Sequence, residues 1–247
     1  MKKIFLYKNQ NFKRLIEGQD ILKKKINFFS NWLKFIKKLK KEKKILLIFI
    51  SGESTTGKST WAIELCKRLG IRNLIHSDIV REFERLNCKK INEPINFSSY
   101  QVHKAYSKKF TTQNFDKGFI KQSQKINKTI KKLILHSSDY GKITLIEGIN
   151  IMPSIVKKNY SNYYFINFHL THTNTSSRKK LQKDRFEYNY LNRNIKKYNK
   201  NQKQFDYLKS FLFKDATISN STIIYVNEPQ KMLYEFIFNL NKFIKKL

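Results

Sequence analysis

Residues 45–50, Ile-Leu-Leu-Ile-Phe-Ile, are apolar without interruption, which predicts a strand of a parallel sheet buried on both faces. Over 60–69 the apolar positions change spacing, falling at Trp61, Ile63, Leu65, Cys66 and Leu69 before Gly70. That pattern predicts a helix closed by a glycine cap. The two patterns then alternate. Short apolar runs at 73–77, 142–147, 163–170 and 221–226 predict four more strands. Helical spacings at 78–86, 98–109, 118–136, 174–190, 196–214 and 229–246 predict the helices among them. Such alternation predicts an α/β fold, a parallel sheet of about five strands flanked by helices. Upstream, Asp20 is placed to cap a helix running to about Lys41. Leu22, Ile26, Phe29, Leu33 and Ile36 would form its apolar stripe. Two segments follow: a basic amphipathic helical stretch over 1–44 and one α/β domain over 45–247.

The loop between the first strand and its helix carries the chemistry. Gly52-Glu53-Ser54-Thr55-Thr56-Gly57-Lys58-Ser59 fits G-x-x-x-x-G-K-[ST], and strand, glycine loop, helix is the context that identifies a P-loop. The fold class sharpens to a P-loop NTPase-type sheet. Gly52 and Gly57 allow backbone angles and close approach that a β-carbon would block. The amides of 52–60, from the loop into Thr60 of the first helical turn, would point at the β- and γ-phosphates of ATP. Lys58 would place a charge on those phosphates, and Ser59 would offer its hydroxyl to Mg²⁺.

Ligands of doubly wound sheets sit beyond the carboxyl ends of the strands. The second strand ends at Asp78, with Arg81 one helical turn on. There a carboxylate can take a hydroxyl proton or hold a Mg²⁺-bound water, and an arginine can clamp an anionic acceptor. Helix capping by Asp78 and a solvated Arg81 is the plainer alternative. The third strand ends at Glu147-Gly148, an acid placed to hold a metal-bound water, or else a structural residue. The run 178–186 after the fourth strand stands where small P-loop kinases carry a helical lid whose closure excludes water. Arg178, Arg185 and Arg193 are its candidate cations in a chain that otherwise favours lysine.

Charge complicates the partner. The 247 residues carry a net charge of +33, with 15 Lys/Arg against 3 Asp/Glu in the first 44. A nucleic-acid binder is one reading. Lysine is spread along the whole chain, however, and Asn, Ile, Phe and Tyr run high while Gly, Ala and Pro run low, as composition drift toward AT-rich codons produces. Non-specific contact with nucleic acid or an anionic membrane surface stays open, above all for the basic helix. No apolar run reaches membrane-spanning length. Two cysteines, Cys66 and Cys88, lack metal-type spacing and fit a reducing, cytoplasmic compartment. Nothing in the sequence fixes an oligomeric state.

G-E-S-T-T-G-K-S-T at 52–60, R-L-G-I-R at 68–72, S-D-I-V-R-E at 77–82, S-S-Y at 98–100, L-I-E-G-I-N-I-M-P at 145–153 and F-D-Y-L at 205–208 together resemble the archaeal 2-phosphoglycerate kinases. The resemblance spans 45 to about 227. It implies ATP-dependent phosphorylation of a small phosphorylated hydroxy acid, 2-phosphoglycerate to 2,3-bisphosphoglycerate. It also implies Lys58 and Ser59 for Mg·ATP, Asp78 and Arg81 at the acceptor, Ser98, Ser99 and Tyr100 on a substrate-side helix, and Glu147 at the third strand. A polynucleotide or RNA kinase, or a nucleic-acid-binding protein switched by ATP, remains the alternative for so basic a chain.

Overall fold

The computed structural model describes residues 19–137, 142–160, 163–173, 200–226 and 228–247, the side chains of 19–27, Ser137 and Asn159 excepted. These residues fall into two compact units, one holding the first and last helices and the other spanning Lys44–Val226.

The larger unit is built on β1 (Leu46–Gly52), α2 (Lys58–Leu69), β2 (Asn73–His76), α3 (Ser77–Leu86), α4 (Thr112–Ser137), β3 (Ile143–Glu147), α5 (Pro153–Asn159), β4 (Tyr164–Thr171), α6 (Gln202–Ile218) and β5 (Thr222–Tyr225). The five strands form one sheet in the order β2-β3-β1-β4-β5, every neighbour parallel. β1 lies in the middle and is buried along its whole length, as its unbroken apolar run requires. On one face Phe49 packs with Ile126, Ile130, Ile146 and Tyr160; the Phe49 and Tyr160 rings lie 5.3 Å apart. A second cluster joins Val102, Phe115 and Phe119 to Leu208 and Leu212. Ile50 pairs with Glu147, Gly52 with Leu170, and His76 with Glu147. The carboxyl ends of four strands therefore meet at one edge. β1 leads toward β2 and β3 on one side while β4 and β5 lie on the other, which opens the ligand crevice of such sheets above β1.

Two stretches differ from the hydropathy reading. Residues 98–109 are not an α-helix: Ser99 and Tyr100 form a turn, followed by a short 3₁₀ segment, Val102–Ala105. The preceding carbonyls of Pro94 and Phe97 are taken by the Gln122 side-chain amide at 2.8 and 2.9 Å, not by a helical ladder. Ser98, Ser99 and Tyr100 thus sit on a turn and not on a substrate-side helix. The helix predicted from 118 begins at Thr112, where the Thr111 hydroxyl accepts from the amide of Asn114. Gly118 is an interior residue kept small because the Val102 carbonyl oxygen would lie 2.7 Å from any β-carbon.

The smaller unit pairs α1 (Gln19–Lys41) with α7 (Pro229–Lys246). Asn31 donates to Asn241 at 3.0 Å, and Lys38 reaches the Leu247 carbonyl. Among the described side chains of α1 the buried ones are Phe28, Trp32, Phe35 and Leu39, whereas Phe29 and Leu33 of the expected stripe are exposed; the side chains of Leu22 and Ile26 lie outside the described ones. Asp20 lies inside the helix and not ahead of it. Both stripes obey helical spacing. The aromatic one wins by burying more area per side chain, and Phe28 stacks on Trp32 at 6.1 Å. No helix among the described residues is long and apolar enough to cross a membrane.

Candidate active site

The loop between β1 and α2 is wound tightly. Thr55 and Gly57 hold φ of 72° and 79°, and Trp61 N–H closes the first helical turn on the Gly57 carbonyl at 2.9 Å. Thr56 donates to the Glu53 carbonyl at 2.9 Å, and Lys58 Nζ reaches the same oxygen at 2.7 Å. Gly52 has φ 135° and lies so close to β4 that a β-carbon would run into the Leu170 carbonyl oxygen. Glu53 is buried. Its Oε1 accepts from His172 N–H at 3.0 Å and Thr171 Oγ1 at 3.3 Å, pinning the loop to the end of β4. Ser54 is half-buried, and Thr60 is exposed on the first turn of α2.

Glu147, at the tip of β3, is buried and accepts from Ser59 Oγ at 3.0 Å. A serine hydroxyl beside a carboxylate is an all-oxygen donor pair suited to a small hard cation, so these two residues fit Mg²⁺. His76 Nδ1 lies 2.7 Å from the same Glu147 oxygen. Nothing in the hydropathy pattern singled it out.

Beyond His76, α3 starts directly after β2. Asp78 is exposed in its first turn, and Arg81 is half-buried. Arg81 donates to Ser99 Oγ at 3.3 Å and to Glu82 at 2.9 Å. Ser99 donates to Asn150 Oδ1 at 3.3 Å, and Asn150 donates to Gln122 at 2.8 Å. Asn127 Nδ2 holds the Asn150 carbonyl at 3.1 Å. Arg81 and Ser99 are thereby tied to the loop after Glu147. Ser98 is half-buried beside them, while the Tyr100 ring stacks on Phe205 at 4.3 Å. Gly148 approaches Ser77 so closely that a β-carbon there would strike its hydroxyl; the glycine makes room for the start of α3. Gln122, Asn127 and Asn150 escaped sequence reading because two of them sit inside an ordinary-looking helix and their partners are remote in the chain. Arg178, Arg185 and Arg193 lie outside the described residues.

The His169 ring on β4 is fully buried, shares a 2.9 Å hydrogen bond with Ser51 Oγ, and titrates at about 4, lowered chiefly by burial and then by the charge of Lys58. Below the ordinary histidine value of 6.5, an unfolded chain takes a proton that the folded one refuses. Stability should therefore fall as pH drops from 6.5 toward 4, by about 3 kcal/mol from this residue alone. Urea unfolding of the native chain and His169→Asn across that range measures it; identical pH slopes in the two would refute it.

No family model matches the chain. In sequence it is similar to archaeal 2-phosphoglycerate kinases. That of Thermococcus kodakarensis is 29% identical over 154 residues, 62% of this chain and 53% of that protein. That of Methanopyrus kandleri is 30% identical over 128 residues, 51% of this chain and 39% of its own. That of Pyrococcus horikoshii is 32% identical over 124 residues, 50% and 41% of the two chains. The chain spans about half the length of the curated relatives it matches. Among solved structures, shikimate kinase from Acinetobacter baumannii in complex with shikimate covers 79% of this chain and 94% of its own, at 16% identity and a TM-score of 0.47. A likeness at that score carries no argument, and the fold assignment stands on strand order and register.

Proposed function

We propose that this chain is an ATP-dependent P-loop kinase that phosphorylates the hydroxyl of a small phosphorylated hydroxy acid, with 2-phosphoglycerate the foremost acceptor and 2,3-bisphosphoglycerate the product. The observation that carries the reading is the hydrogen bond from Ser59 to the buried Glu147 at the crevice edge of the sheet. A P-loop serine facing a strand-end carboxylate is the arrangement that seats Mg·ATP. Bound there, Mg²⁺ would neutralise charge on the β- and γ-phosphates. Lys58 would leave the Glu53 carbonyl for the same phosphates. The acceptor oxygen attacks the γ-phosphorus as the bond to the β–γ bridging oxygen breaks, and Asp78 takes the hydroxyl proton. Arg81, held through Ser99, clamps the acceptor's own anionic group. The work is positioning and charge neutralisation more than covalent chemistry. The archaeal relatives named 2-phosphoglycerate kinase support this acceptor.

The test is ADP release with Mg·ATP across 2-phosphoglycerate, 3-phosphoglycerate, nucleosides and RNA 5′-ends. Turnover is expected on 2-phosphoglycerate, and Arg81→Ala should raise the KM for that acceptor at least tenfold with little change in the KM for ATP. Phosphorylation of RNA ends but not of 2-phosphoglycerate would replace this reading with a polynucleotide kinase.

A further inference from the structure

His76 belongs to none of the kinase motifs, yet it stands directly behind the metal-binding pair. It is the register partner of Glu147 across β2 and β3. Its Nδ1 and the Ser59 hydroxyl converge on one carboxylate oxygen, Glu147 Oε1, at 2.7 and 3.0 Å. A carboxylate only accepts, so Nδ1 carries the hydrogen. From these contacts, and resting on the kinase reading above, we infer that His76 is a positioning residue for the divalent cation: its N–H fixes the Glu147 carboxylate against Ser59 so that hydroxyl and carboxylate are set for one ion. Glutamate has three rotatable side-chain bonds, and Ser59 alone restrains Oε1 from one side only. The imidazole supplies the second restraint from the opposite strand. His76 also ends β2 and stands at the residue just before α3, so the residue that aims the carboxylate is continuous with the helix carrying Asp78 and Arg81. Metal seat and acceptor helix then share one anchor.

Removing such an outer hydrogen bond typically weakens metal affinity 10–100-fold. The experiment uses the full chain loaded with ATP and measures Mn²⁺ binding by electron paramagnetic resonance, alongside ATP binding in the presence of a chelator. His76→Leu should lose about 10–100-fold in Mn²⁺ affinity while metal-free ATP binding stays unchanged, since the loop amides and Lys58 are intact. His76→Asn, whose side-chain amide can occupy the Nδ1 position, should recover most of the loss. A folded His76→Leu protein with native Mn²⁺ affinity overturns the inference. Equal losses in the leucine and asparagine variants also overturn it, because the bulk of the ring and not its N–H would then matter. A native chain that binds neither ATP nor Mn·ATP would instead remove the kinase reading, which separates the two failures.

Discussion

Replacing Lys58 with alanine should lower phosphoryl transfer by on the order of 10³-fold or more, with the fold intact. The lysine begins α2 at the crevice edge, half-buried, with its ammonium on the Glu53 carbonyl and within reach of any phosphate held by the loop. In a loose phosphoryl-transfer transition state negative charge builds on the departing β–γ bridging oxygen, so a lost cation there acts on kcat more than on nucleotide affinity. Single-turnover rates with saturating Mg·ATP decide the matter, with circular dichroism to confirm folding. A folded Lys58→Ala protein turning over at near the native rate would end the P-loop assignment.

The second large effect is on stability. Gly52→Ala combines a φ of 135° with a clash against the backbone of the neighbouring strand, since Gly52 pairs with Leu170 and faces its carbonyl. No rotamer change relieves a backbone clash, so β1 and β4 must separate or the loop must distort. A loss of at least about 3 kcal/mol is expected, and for a chain of this size a fall in Tm on the order of 10 °C. Gly70→Ala is the control: its φ is 66°, but nothing lies within 4 Å of the added carbon, so it should cost only about 1–2 kcal/mol. Equal melting shifts in the two variants would refute the close-approach argument.

What the sequence made legible follows from the range of each signal. The P-loop is contiguous, and Glu147 ends an apolar run, so both could be read in one dimension. The five strands emerge near their expected bounds because each is a short local pattern. His76 and the Ser99–Asn150–Gln122 chain were invisible because their meaning lies in pairing across 71, 51 and 28 positions. On α1 two apolar stripes one residue apart satisfied the same periodicity, and only the packing of Trp32 and Phe35 chooses between them. Residues 98–109 misled because the backbone leading into them is held from outside: Gln122, on a later helix, takes the Pro94 and Phe97 carbonyls, a contact that no local pattern announces.

The sheet order has a consequence for the nascent chain. β1 is synthesised before both of its neighbours, β3 and β4, so Leu46 must wait for Ile143 and Tyr164. At ordinary elongation rates that delay is on the order of ten seconds. Throughout it the most apolar segment of the domain has neither edge paired, the condition under which strands aggregate. Lys41, Lys43 and Lys44 stand immediately before it, and flanking charges of this kind act as gatekeepers against association. In this chain, lysine ahead of the central strand would protect the α/β domain during synthesis even where it contributes nothing to the finished fold.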